Sequence, residues 1–171
     1  MCIVLDINTI PNIFNNESKE HAEFKPVRDW IIHKKGKIVY GGTKYSEELS
    51  KMRQYLKLFL LFERINKTVV IDTEAVDNIQ AEAEAMIQHR DFDDPHLVAI
   101  LKESGCKLVC SVDERAFPFL KHQLFFKGKD RPKIYSSSRN KDLLCDANIA
   151  ECCLPSHDTT NEQKKILELT D

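Results

Sequence analysis

Residues 1–8 read MCIVLDIN, and within them CIVLD, residues 2–6, decides the fold class. Ile3, Val4 and Leu5 form an unbroken apolar run that delivers an aspartate, Asp6, at its end. A strand with one wet face alternates polar and apolar residues, whereas a continuous apolar run suits a strand covered on both faces, as in a parallel sheet. A carboxylate at the end of such a strand is costly to bury without a purpose.

The same pattern returns along the chain. KIVYG (37–41), TVVID (68–72) and KLVCS (107–111) are short and β-branched, and RPKIYSSS (131–138) suits an edge strand. Segments with helical spacing alternate with them. FKPVRDWIIHKKG (24–36) repeats Val27, Trp30 and Ile31 and stops at Gly36, as a C-capping glycine would stop it. Residues 44–66 carry Tyr45, Leu49, Met52, Leu56, Phe59 and Leu60 three and four apart, which predicts one long helix. DTEAVDNIQAEAEAMIQH (72–89) opens on Asp72 or Thr73 as N-cap and continues in strong helix formers. DFDDPHLVAILKESG (91–105) has Asp93 or Asp94 to cap it, Pro95 for its first turn and Gly105 beyond its last. RNKDLLCDANI (139–149) reads as a short helix. The alternation predicts an α/β fold around a mostly parallel sheet.

Composition limits the function classes. At 171 residues, one well-buried core is expected, and a formal net charge of -2 with 30% charged residues excludes a uniformly basic surface for coating nucleic acid. A polyanionic partner would have to meet a local basic patch. The longest apolar run, Leu56 to Phe62, is broken by Lys57 and falls far short of the ~20 residues that span a bilayer. The first residues lack the pattern of a secretory signal, so the expected location is the cytoplasm. Cysteines at 2, 106, 110, 145, 152 and 153 then read as free thiols, and Cys152, Cys153 and His157 lack the paired spacings of a zinc site.

The acids carry the functional signal. Asp6 ends one strand, Asp113 follows another, Asp94 opens a helix after a loop, and Glu48 sits on the helix after KIVYGGTKY. In an open α/β sheet the carboxyl ends of the strands face one crevice, so these groups are expected to converge there. Converging carboxylates repel one another unless a cation neutralises them. Oxygen donors without a matching Cys or His set point to Mg²⁺ or Mn²⁺, ions that hold phosphate oxygens and activate water for in-line displacement. Phosphodiester hydrolysis is the matching reaction class. Each acid also has a plainer reading: Asp6 as a turn residue, Asp94 and Asp113 as helix caps, Glu48 as a solvated helix glutamate.

IVLDIN (3–8), KIVYGGTKYSEEL (37–49), DFDDPHLVAILKESGCKLVCSVDERAF (91–117) and RPKIYSSSRNKDLLC (131–145), in that order and spacing, resemble the PIN-domain family, which includes many bacterial toxin ribonucleases. The resemblance runs from the first residues to about residue 145. It implies a three-layer αβα nuclease domain over residues 1–150, followed by a polar C-terminal tail, 151–171, that is either mobile or docks on a partner through Ile166, Leu167 and Leu169.

It also implies metal-dependent cleavage of RNA, in the manner of a toxin or phage-defence effector. Asp6, Glu48 in SEEL, Asp94 in DDPHLVA and Asp113 in SVDE match the family's four acids, with Asp6, Asp94 and Asp113 as metal ligands. Asn8 and Ser111 fit the small polar positions beside the first and last of them, and His96 is expected to orient a carboxylate rather than act as the base. Where toxin-type members often carry a further acid, this chain has Arg115 and Ala116, with Glu114 the nearest substitute. That departure leaves a second metal in doubt.

Lys44, Arg53, Lys121, Arg131, Lys133, Arg139 and Lys141 form a candidate phosphate-binding rim, and Lys127 to Lys141 is its densest part. Lys133, Tyr135, Arg139 and Lys141 are therefore the expected RNA contacts. The alternative is a catalytically weak PIN-fold binding or regulatory module that acts through a protein partner such as an antitoxin or defence complex. DNA as substrate and assembly into a homo-oligomer both stay open.

Overall fold

A computed structural model describes residues 2–168. Five strands build the sheet: β1 (Cys2–Leu5), β2 (Lys37–Gly41), β3 (Thr68–Ile71), β4 (Leu108–Cys110) and β5 (Lys133–Tyr135). Their order is β3-β2-β1-β4-β5, and every neighbouring pair is parallel. The continuous apolar runs lie where both faces are covered: Ile3, Val4 and Leu5 are wholly buried, as are Leu108, Val109 and Cys110. On the outer strand β3, by contrast, Val70 is exposed.

The helices are α1 (Ile10–Phe14), α2 (His21–His33), α3 (Thr43–Lys51), α4 (Arg53–Arg64), α5 (Thr73–Met86), α6 (Pro95–Ser104), α7 (Phe117–Leu120) and α8 (Asn161–Glu168). The chain moves outward from β1 to β3 and then returns across the sheet to β4, so right-handed crossovers put the two sets of helices on opposite faces. Three layers result, as expected. Helix α6 lies across β1, β2 and β3 and packs on α5. Asp72 caps α5 through a 2.9 Å hydrogen bond from the Ala75 N–H, and Gly105 ends α6 in the left-handed conformation.

Three expectations are corrected. The long helix over 44–66 breaks at Met52, whose ψ of 67° leaves the helical region. A straight rod of that length would run off a domain this small, whereas the break lets Tyr45 and Leu49 on one half and Tyr55, Phe59 and Phe62 on the other all enter the core. Residues 139–149 form 3-10 turns, Ser138–Leu143 and Asp146–Asn148, instead of a helix. Finally, the C-terminal segment, expected either to be mobile or to dock on a partner, packs against its own domain. Cys153 is wholly buried, Ser156 Oγ donates to Lys35 O at 2.8 Å, Thr159 Oγ1 to Lys34 O at 3.1 Å and Gln163 Nε2 to Ile65 O at 2.7 Å. Leu167 is buried and Ile166 packs on the core, while Leu169 lies outside the described residues. No helix among the described residues is long and apolar enough to cross a membrane.

Candidate active site

The order in which strands are added reverses between β1 and β4, which run parallel, and Asp6 stands at the carboxyl end of that seam. Its backbone N–H continues the ladder by donating to Cys110 O at 2.9 Å. Its side chain is 2% exposed and fully engaged: Oδ1 accepts from the Asn8 N–H at 3.0 Å and Oδ2 from Ser111 Oγ at 2.8 Å. Ser111, expected beside Asp113, reaches Asp6 as well as accepting from the Asp113 N–H at 3.2 Å, while Asn8 meets Asp6 through its backbone alone. Burial raises the Asp6 pKa, the Ser111 and Asn8 hydrogen bonds lower it, and the charges of Asp113 and Glu48 raise it again. The net direction is upward.

Asp94 occupies the N-cap position of α6, yet its side chain makes no capping hydrogen bond. The plain reading of this residue as a helix cap therefore does not hold. Burial first, then the charges of Asp6, Asp93, Glu48 and Asp113, push its carboxyl up to about 7. Asp94 thus feels all three of the other expected acids. Glu48 arrives from α3, where Lys44 one turn earlier pairs with it at 3.1 Å, and His96 Nε2 stands 3.8 Å from its other oxygen. His96 is 2% exposed, and its Nδ1 has no hydrogen-bond partner. Burial lowers its pKa to about 4, so the ring is neutral at pH 7 and suits a positioning role beside Glu48.

Asp113 is held differently. Arg115 forks onto it, with Nε 3.0 Å from Oδ1 and Nη2 2.8 Å from Oδ2, and the Arg115 backbone N–H adds a bond to Oδ1. These contacts hold the Asp113 carboxyl below the usual carboxylate range. The same guanidinium stands 3.9 Å from Asp93. In the sequence Arg115 shows only as the absence of an acid, although a basic residue two positions after an aspartate can fold back on it. The helical spacing of Tyr45 likewise marks it as core alone. The ring is buried, but its hydroxyl donates to Leu5 O at 2.9 Å directly behind Asp6 and lies in the field of Asp6 and Glu48.

The four acids share one electrostatic neighbourhood without surrounding one point. As the side chains stand, no three His, Cys, Asp or Glu groups among the described residues are posed to hold an ion. The donor set nevertheless suits a hard dication, since it offers carboxylate oxygens whose mutual repulsion is still felt in the raised Asp94 carboxyl.

The expected RNA contacts divide. Tyr135 is wholly buried, packs edge-on against Phe24 and donates its hydroxyl to Glu23 O at 2.9 Å, so no base can stack on it; the reason is that β5 is covered by α2. Lys133 begins β5, at the sheet edge opposite the acids, and donates to Asn148 Oδ1 at 3.0 Å. Tyr135 is thus corrected as an RNA contact, whereas Lys133 stays exposed at the end of the strand away from the acids. Arg139 and Lys141 are both exposed; Arg139 follows shortly after the carboxyl end of β5, whereas Lys141 lines a hollow with Asp29, Trp30 and Lys34 toward the C-terminal end of α2. A hollow of about 650 Å³ lined by Phe14, Arg28, His33, Tyr55, Lys57 and Lys164 includes none of the four acids. Protein-family profiles, curated proteins and solved structures give no match to this chain.

Proposed function

We propose that the protein is a PIN-like, metal-dependent nuclease that hydrolyses RNA phosphodiester bonds. The observation that carries the proposal is Asp94: a half-buried acid at a helix start that caps nothing and meets the charges of Asp6, Glu48 and Asp113. Such an arrangement costs stability with no structural return, and functional sites are where such costs persist.

Asp6, Asp94 and Asp113 would hold Mg²⁺ or Mn²⁺, which supplies charge neutralisation at the phosphate and activation of water. The chain's own residues do the rest. Ser111 and the Asn8 N–H lock the Asp6 carboxylate in one orientation. His96 and Lys44 bracket Glu48 from two sides. Arg139, exposed shortly after the carboxyl end of β5, is the cation of the expected RNA contacts suited to phosphates arriving there.

One observation favours the second reading, a binding module whose metal is weak: the Arg115 fork already neutralises Asp113. The deciding experiment incubates the purified chain with structured RNA, single-stranded RNA and DNA, each with Mn²⁺, Mg²⁺ or chelator. The nuclease reading expects RNA cleavage that is lost both with chelator and in Asp113→Asn. Intact RNA under every condition favours the binding module, and cleavage of DNA alone overturns the choice of substrate.

A further inference from the structure

On the two segments that carry Asp94 and Asp113, aromatic rings form a ladder. The backbone turns from His89 to Phe92, closed by a 3.0 Å hydrogen bond from the Phe92 N–H to His89 O, and the turn brackets Phe119 of α7. The Phe119 ring centre lies 5.4 Å from that of His89 and 5.0 Å from that of Phe92. Phe92 stacks in turn on Phe125 at 5.9 Å, and His122 leans on Phe125 at the same distance. Each end of the ladder is thus an imidazole, and each is fixed by its own backbone. His89 Nδ1 accepts the Asp91 N–H at 3.1 Å, and His122 Nδ1 accepts the Leu124 N–H at 3.3 Å.

Packing accounts for the inner rungs, since Phe125 is buried and Phe92 lies against the core. It does not account for the outer ones: Phe119 is half-buried and His89 is exposed. The ladder adjoins the acids. Phe92 stands two residues before Asp94, and Arg115, which forks onto Asp113, reaches to 3.9 Å from Asp93. The cations here are already engaged, Arg115 by Asp113 and Asp93, and Arg90 by Asp91, whose Oδ1 lies 3.5 Å from Nε. A phosphate gains little from paired cations, whereas the face of a neutral base needs none.

We propose that the ladder is a base-stacking platform, with His89 as its outer rung and Phe119 behind it, for an unpaired base next to the phosphate that reaches the acids. In naming RNA as the ligand, the inference rests on the nuclease reading above. Unpaired bases stack on aromatic rings, histidine included, whereas a duplex keeps its bases stacked on one another. A ring held in place before the ligand arrives gives up little freedom on binding. The platform therefore selects single strands, and it accepts any base, because every base has a π face.

The test follows the fluorescence anisotropy of a short labelled single-stranded RNA, and of the same strand annealed to its complement, with the full chain in Ca²⁺. The single strand is expected to bind more tightly than the duplex. His89→Ala weakens it about tenfold, His89→Trp restores it, and Phe119→Leu, which keeps apolar bulk but no π face, weakens it too. The dependence on salt stays the same in His89→Ala, whereas loss of a phosphate contact would flatten it by about one counterion. The proposal is overturned if the duplex binds as well, if His89→Ala binds as the wild type does, if tryptophan fails where alanine fails, or if no RNA binds. It also falls if light scattering shows that His89→Ala turns a dimer into a monomer, because the ring then meets a second copy of the chain. Binding in the expected pattern with RNA left whole in Mn²⁺ sustains the platform and rejects the nuclease reading. Cleavage at a rate that His89→Ala does not change rejects the platform and keeps the nuclease.

Discussion

Asp6 accepts a backbone N–H and a hydroxyl while remaining 2% exposed. An amide of the same shape keeps one acceptor and removes the charge. Under the nuclease reading, Asp6→Asn therefore folds but loses about 100-fold or more in cleavage rate, a loss comparable to removing one electrostatic group from a reacting centre. Unchanged cleavage by a folded Asp6→Asn chain counts against the site. Asp94 makes a separate prediction about stability. An unfolded aspartate ionises near 3.8, whereas folded Asp94 does so at about 7. Between those values the folded state binds more protons, so its stability falls as pH rises, and the loss is complete above the folded pKa. Asparagine has no such loss. In chelator, the melting temperature of Asp94→Asn relative to wild type should climb from pH 4 to pH 7 and then level off; a flat difference rejects the assigned carboxyl.

Elements set these side chains at their stations. Gly42 turns the chain from β2 into α3, the helix that bears Glu48, with φ at 83°. A Cβ there would lie 2.6 Å from Val76 Cγ1, so Gly42→Ala meets both a strained backbone and a collision. Gly105, at φ 64°, has open space around the equivalent position. Gly105→Ala is expected to cost about 1 kcal/mol, and Gly42→Ala about 2–4 kcal/mol. Urea melts that rank the two the other way would contradict the close packing of α5 against the β2–α3 turn. The strands were readable because an apolar run covered on both faces has no other common explanation. The break at Met52 was not, because the apolar spacing continues through residues 44–66 and only the curvature of the core demands two shorter helices.

Across the molecule, a net charge of -2 hides an uneven distribution, with four acids drawn to one end of the sheet. A ligand that binds only the folded state stabilises it by mass action, by about 2.7 kcal/mol at a hundredfold excess over Kd. Under the nuclease reading, Mn²⁺ raises the melting temperature of the wild type and does so far less in Asp6→Asn. Equal shifts in the two chains, or none, favour the binding module. The C-terminal segment also reaches far along the chain: Ser156, Thr159 and Gln163 donate to carbonyls at the ends of α2 and α4, tying residues more than 90 positions apart.

Local chemistry in the chain was enough to specify the parallel sheet, its order of strand and helix, and the acids at strand ends, since each follows from the period and termination of short runs. That Asp6, Glu48, Asp94 and Asp113 feel one another's charge was legible in outline, because parallel strands send their carboxyl ends to one side, but how their side chains are posed was not. The Arg115 fork, the burial of Tyr135 and the docking of the segment after residue 150 were not. Those depend on which side chains a folded backbone brings together across gaps of a hundred residues or more, or on rotamers chosen by neighbours. No spacing along the chain encodes them.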